Sequence, residues 1–137
     1  MVHGFEKPGP IETIQLEESD IISFHSYTWP EEFESRVLLL QKYHRPLFCT
    51  EYMARSIGST FEGTFSLAKR YKVAAINWGL VTGKTQTNLP WDSWQHPYTE
   101  KQKPVWFHDV LRPDGKPYRE REAQILRDLT GSTLAQP

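Results

Sequence analysis

Four residues whose chemistry suits a sugar ligand follow short apolar runs of the chain. His25 and Tyr27 follow Ile-Ile-Ser-Phe, Glu51 follows Pro-Leu-Phe-Cys-Thr, and Trp78 follows Val-Ala-Ala-Ile-Asn. A carboxylate can take part in acetal chemistry, and the face of an aromatic ring can stack on the C–H face of a pyranose. We therefore expect a carbohydrate site wherever the fold brings these four side chains to one edge.

The apolar runs start roughly 26 residues apart, with helical patterns between them, which is typical of a parallel sheet with crossover helices. The carboxyl ends of parallel strands meet at one edge of the sheet. We expect Ser59 to cap the helix that begins at about Thr60, with Glu62 as the capping-box partner. We predict strands over 20–27, 46–51 and 73–78 and helices over 11–18, 30–43, 60–71 and 118–129.

The segment 79–104 is rich in Gly, Pro, Thr, Gln and Trp and shows no sustained period. A loop this long in a compact domain is usually functional or disordered, and its tryptophans favour a functional loop. We take Trp91 and Trp94 as candidate sugar contacts and Asp92 as a further one. The alternative is that the two tryptophans only anchor the loop.

Each strand-end residue also has a non-catalytic interpretation. Glu51 could form a structural ion pair with Arg55 or Arg45, and His25 alone is more often a packing residue than a catalyst. Tyr27 could be rim packing, and Trp78 could cover the core. The acids on the predicted helices are interpreted as solvated: Glu17, Glu18, Glu31, Glu32, Glu120 and Glu122.

Composition excludes several other classes of protein. The net charge of −1 provides no broad positive field, so we predict no nucleic-acid partner. No apolar run approaches the roughly 18 residues that span a bilayer, so we predict no membrane partner, and no signal-peptide pattern precedes Pro10. The five histidines lack metal-ligand spacing, and nucleotide-binding motifs are missing from the sequence, so we predict no metal and no cofactor. The single cysteine, Cys49, is expected to be a small buried hydrophobe.

The three strand ends together resemble those of clan A retaining glycoside hydrolases. The runs are Ile-Ser-Phe-His-Ser-Tyr, Arg-Pro-Leu-Phe-Cys-Thr-Glu-Tyr-Met-Ala-Arg and Ala-Ile-Asn-Trp-Gly. These enzymes are (β/α)8 barrels and include family 5 cellulases and family 2 β-glycosidases. The Pro-Trp-Asp-Ser-Trp loop and the stretch from Val105 to Tyr118 are similar to a cellulase-like group often labelled 1,4-β-xylanase.

The resemblance implies a role for each strand-end residue. Glu51 matches the catalytic nucleophile at the end of barrel strand seven, and Tyr27 matches the tyrosine that orients it. His25 matches a substrate-contacting histidine, and Trp78 matches the sugar platform at the end of strand eight. Arg55 is expected to pair with Glu51 or with a neighbouring acid.

One catalytic group of that family has no counterpart in this chain. Retaining hydrolysis uses two carboxyl groups about 5–5.5 Å apart, and in this clan the acid/base is a Glu that follows an Asn. No Asn-Glu pair occurs in the sequence. We therefore expect an α/β chain equivalent to barrel strands six to eight, with an irregular lead-in over 1–10, a partial barrel over 11–130 and a frayed tail over 131–137.

Three hypotheses follow for the function. The first is part of a glycoside hydrolase, inactive alone and completed by a missing N-terminal barrel segment or self-associating through its open sheet edges. The second is a non-catalytic carbohydrate-binding module, and the third is a small α/β interaction domain. The sugar, the linkage and the localisation stay open, although relatives in the family are commonly exported.

Overall fold

An open sheet of three parallel strands, in the order β1-β2-β3, organises this chain. The computed structural model describes residues 7–99, 102 and 104–131. The main elements are α1 (Pro10–Glu18), β1 (Ile22–Ser26), α2 (Pro30–Gln41), β2 (Leu47–Tyr52), α3 (Ser66–Arg70), β3 (Ala74–Asn77) and α4 (Glu120–Thr130). The prediction of an α/β fold with parallel strands is confirmed.

The first two strands bury one face against the crossover helices. Ile22 and Phe24 of β1 are almost fully buried, and α2 supplies Phe33 and Val37 to the same core. Pro30 occupies the first turn of α2, where its missing N–H costs nothing and acidic neighbours suit the helix dipole. The burial of these apolar faces fixes the sheet against its helices.

The predicted helix over 60–71 forms in two pieces, a π-helix over Phe61–Phe65 and then α3. Thr60 is the cap, because its Oγ1 accepts a hydrogen bond from the Gly63 N–H at 3.3 Å. The capping box expected from Ser59 and Glu62 is therefore wrong. Ser59 is fully buried, and its hydroxyl binds the ends of two strands.

The chain beyond β3 returns to the sheet over residues 105–118. Val81 bridges Leu111, which in turn bridges Pro117, and α4 then begins at Glu120, two residues later than predicted. The Phe107 carbonyl accepts a hydrogen bond from the Arg55 N–H at 3.1 Å. This return brings residues 107–109 to the carboxyl end of β2.

The two ends predicted to be irregular fall mostly outside the described residues. Of the lead-in predicted over 1–10, residues 7–9 are described, and α1 begins at Pro10. Of the predicted tail over 131–137, only Gly131 is described. Within α1, Leu16 is buried, whereas Ile11 and Ile14 are 69% and 62% exposed.

Candidate functional site

A register shift places Glu51 beside His25 at the carboxyl end of the sheet. The pairing of β1 with β2 shifts between Phe24 and His25, so that His25 pairs with Glu51 and not with Thr50. The pairing of β2 with β3 shifts over the same part of β2. Such irregularities re-aim side chains and are common next to active sites. Here the shift brings the His25 and Glu51 side chains to the same face.

Two side chains converge on one oxygen of the Glu51 carboxylate. The Tyr27 hydroxyl donates to Oε2 at 2.9 Å, and His25 Nδ1 lies 3.1 Å from the same atom. The Glu51 and His25 side chains are 22% and 28% exposed, so both can be reached from solvent. Among the described residues, none donates a hydrogen bond to Oε1. Glu51 therefore has one oxygen held in place and the other open.

Burial and the neighbouring Glu51 carboxylate raise the pKa of Tyr27 above its ordinary value. The phenol consequently stays protonated and remains a donor to Glu51 throughout the neutral range. Burial also raises the pKa of the Cys49 thiol, to about 12, so that this residue is a neutral core group as expected.

An aromatic group supports Tyr27 from the loop beyond β3. The Trp91 ring meets Tyr27 edge to face, with centroids 5.0 Å apart, and it also packs edge to face on Phe107, with centroids 4.9 Å apart. Such T-shaped pairs are favourable beyond the area that they bury. We define the strand-end cluster as His25, Tyr27, Glu51 and Trp91.

His108 lies under this cluster and was not expected from the sequence. Its ring packs 5.5 Å from Tyr27 and 5.9 Å from Trp91, and the residue is 1% exposed. Nδ1 lies 2.7 Å from the carbonyl oxygen of Met53, which has a positive φ of 67°. Because a carbonyl only accepts, Nδ1 carries the hydrogen, and burial lowers the pKa of the imidazole. His108 thus fixes the turn that follows Glu51.

The only signal for His108 in the sequence is a His-Asp pair inside the apolar run Val-Trp-Phe-His-Asp-Val. The adjacent Asp109 is fully buried, and its Oδ1 accepts from the Thr87 hydroxyl at 2.7 Å. A Cβ on Gly79 would lie 2.3 Å from that same oxygen. Only glycine therefore allows the loop after β3 to approach residues 108 and 109 so closely.

The other predicted site residues do not join the strand-end cluster. Trp78 follows β3 and is 53% exposed, while Trp94 is 91% exposed. Among the described residues, neither makes a ring contact with the cluster. Asp92 accepts hydrogen bonds from the Tyr98 hydroxyl at 2.9 and 3.1 Å, so its carboxylate is held within its own loop.

Arg55 pairs with Glu122, at 2.8 and 2.6 Å, and not with Glu51. Arg55 is 7% exposed and Glu122 is 1% exposed. The expectation that Glu122 is a solvated helix acid is therefore wrong. The first turn of α4 faces the core, so this acid is buried against the end of β2.

Comparison of the chain with family models, with curated proteins and with solved structures gives no match. Within residues 7–99, 102 and 104–131, no group of three or more acidic, histidine or cysteine side chains could hold a metal. No helix in that part of the chain is long and apolar enough to cross a membrane.

An open apolar recess of about 330 Å³ lies between α4 and the turn before it. Its lining includes Leu80, Val110 and Leu126, and no residue of the strand-end cluster contributes to it. The recess offers few polar groups to orient a substrate, whereas the cluster offers a held carboxylate. The cluster is therefore the candidate site.

Proposed function

We propose that Glu51 is the nucleophile of a retaining β-glycoside hydrolase and that the strand-end cluster is one half of its active site. One observation carries the proposal: the Tyr27 hydroxyl donates to Oε2 of a partly exposed carboxylate, His25 Nδ1 lies 3.1 Å from the same oxygen, and no described residue donates to Oε1. The resemblance of the three strand ends to clan A enzymes gives the same role to this residue.

In the proposed step, a lone pair of Oε1 attacks the anomeric carbon and the bond to the leaving oxygen breaks. That oxygen keeps the electron pair and takes a proton from a second carboxylic acid. Water then attacks the anomeric carbon, gives a proton to the second carboxylate, and releases Glu51. Tyr27 orients Oε2 and stays protonated, since burial and the Glu51 carboxylate raise its pKa.

The second carboxylic acid is proposed to come from outside this chain, because the sequence has no Asn-Glu pair. In the same proposal, β1, β2 and β3 are strands six to eight of a (β/α)8 barrel. The parallel order of the strands and the open sheet support this assignment. Ile21, just before β1, is 47% exposed, and Ile76, on β3, is 50% exposed. In the proposed barrel, the remaining strands would cover both side chains.

A covalent trapping experiment tests the nucleophile without the missing acid. A dinitrophenyl β-glycoside needs no proton on its leaving group, and fluorine at C2 slows hydrolysis of the intermediate by destabilising its cationic transition state. We expect mass spectrometry to find one glycosyl adduct, on the peptide that contains Glu51. Glu51→Gln should remove the adduct, and Glu62→Gln, a change at an exposed helix acid, should leave it unchanged.

The folded chain must also leave an unactivated methyl β-glycoside intact. A failure to label Glu51 would show that it is not the nucleophile. Hydrolysis of the methyl glycoside by this chain alone would show that the general acid lies within it.

A non-catalytic sugar-binding module is the second candidate. It is favoured by the exposure of Trp78, Trp91 and Trp94, at 53%, 53% and 91%. Titration of tryptophan fluorescence with β-linked oligosaccharides, combined with the trapping experiment, separates the two candidates. Saturable binding without any covalent adduct would favour the binding module.

A further inference from the structure

Trp29 is an exposed tryptophan that belongs to neither the strand-end cluster nor the loop 79–104. It lies three residues after β1 and is 64% exposed. Its carbonyl oxygen accepts from the N–H groups of Glu32 and Phe33 at 3.1 and 3.0 Å, which ties its backbone to the start of α2. The Trp29 side chain is therefore exposed, while its backbone is fixed by the start of α2.

The Trp29 ring lies against Gly58. A Cβ on Gly58 would be 2.5, 2.6 and 2.8 Å from three adjacent atoms of the indole ring. Three such similar short distances place that position over the ring face and not at its edge. Gly58 has φ +86° in the turn after β2. It therefore allows the turn, and because it has no side chain the Trp29 ring can pack flat against its backbone. One face of the indole rests on the protein, and the exposure of the residue leaves the other open.

The contact between Trp29 and Gly58 lies at the same edge of the sheet as Glu51. Ser59, next to Gly58, has its hydroxyl 3.2 Å from the Met53 N–H and 3.5 Å from the Ser26 carbonyl oxygen. The turn therefore crosses the carboxyl ends of β1 and β2. Trp29 is also two residues from Tyr27, and two residues span about 7 Å at most.

We propose that Trp29 is a second sugar platform, a subsite for the distal units of a β-linked oligosaccharide bound at the strand-end cluster. This inference rests on the proposed function, because it extends the same site along the rim of the sheet. The ring is held before the ligand arrives, so little conformational entropy is lost on binding. A chain of two sugars occupies the cluster alone, whereas a longer chain also covers Trp29.

The test measures affinity against oligosaccharide length by calorimetry, with 1,4-β-linked xylose and glucose chains of two to six units. Trp29→Ala is expected to weaken binding of the six-unit chain about tenfold and to leave the two-unit chain within about twofold. Trp29→Phe, which keeps a ring, should restore most of the lost affinity.

Two glycine variants supply a matched pair. Gly58→Ala displaces the Trp29 ring, whereas Gly115→Ala has nearly the same φ, +81°, and nothing within 4 Å of the new Cβ. Both carry the backbone strain of a positive φ, but only Gly58→Ala should weaken binding of the long chain. Urea unfolding of each variant confirms that the compared proteins are folded.

The outcomes separate this inference from the proposed function. If wild type and Trp29→Ala bind the six-unit oligosaccharide equally well, the platform is overturned and the strand-end cluster is unaffected. Equal losses in the two glycine variants also overturn it. A folded wild-type chain that binds no oligosaccharide overturns the sugar site itself, and the platform with it.

Discussion

Glu51 and Glu122 are both held by donors near the end of β2, yet their surroundings differ. Glu122 is 1% exposed, and Arg55 binds both of its oxygens, at 2.8 and 2.6 Å, with Arg119 3.4 Å from Oε1. Glu51 has a 22% exposed side chain and two partners on a single oxygen. One carboxylate is saturated and enclosed, and the other is oriented and open.

The difference separates a structural carboxylate from one that is available for chemistry. A buried charge must be fully paired, since its desolvation is otherwise uncompensated. Arg55 also donates to the carbonyl oxygens of Trp106 and Asp109, at 2.9 and 3.0 Å. The buried pair therefore anchors the segment that carries His108, and that segment in turn supports the open carboxylate.

The largest effect is expected on breaking the enclosed pair. Glu122→Gln leaves Arg55 buried without its charge partner and should cost about 3–5 kcal/mol of unfolding free energy. The control, Glu62→Gln, removes an exposed acid and should change stability by less than about 0.5 kcal/mol. Urea denaturation of both variants measures the contrast. Equal costs would show that Glu122 is no more structural than a surface acid.

The second effect concerns pH and His108, the buried histidine that packs against Tyr27. Burial lowers the pKa of His108 below 6.5, so the unfolded chain takes up more protons than the folded one below that pH. The contribution of His108 to stability is complete above pH 6.5 and falls, by up to about 1.4 kcal/mol per pH unit, as the pH drops toward its folded pKa.

His108→Asn keeps a side-chain donor for the Met53 carbonyl but does not titrate. The difference in unfolding free energy between wild type and variant should therefore shrink as the pH falls from about 7 to about 5. Chemical denaturation at several pH values measures it. A difference that is constant with pH would contradict the neutral, buried state assigned to His108.

A smaller effect is expected at the open carboxylate itself. Tyr27→Phe removes the hydrogen bond to Glu51 but keeps the ring against Trp91, and should cost about 1 kcal/mol of stability. The rate of glycosyl trapping on Glu51 should fall by more than the loss of unfolding free energy can explain, because Oε2 is no longer oriented. An unchanged trapping rate would remove Tyr27 from its proposed role.

The smallest change in stability is expected at Trp94, in contrast to Trp91 of the same 79–104 loop. Trp94→Ala should change stability by less than about 0.5 kcal/mol, because the side chain is 91% exposed. Trp91→Ala removes the contacts of the indole ring with Tyr27 and Phe107 and should lower the unfolding free energy by about 1–2 kcal/mol. Thermal denaturation compares them, and equal costs would contradict a supporting role for Trp91 alone.

The strands and their end residues were predictable because their signals are local. Apolar runs at regular spacing predicted three parallel strands. Because the carboxyl ends of parallel strands meet at one edge of the sheet, His25, Tyr27 and Glu51 were expected to lie together. The split of the predicted helix over 60–71 was not predictable in this way. The first piece contains Gly63, which packs so closely on Pro30 of α2 that a Cβ would lie 2.3 Å from the ring, and its cap is one residue later than expected.

Local sequence patterns were sufficient to predict the α/β class, the strand positions and a carboxylate close to aromatic and imidazole groups. The pairing of Arg55 with Glu122, 67 residues away, and the packing of His108 and Trp91 against Tyr27 emerge only from the folded chain. The physical reason is that strand periodicity and edge placement follow from neighbouring residues. The partner of a buried charge follows from the path of the whole chain, because it depends on which distant segment returns to that place.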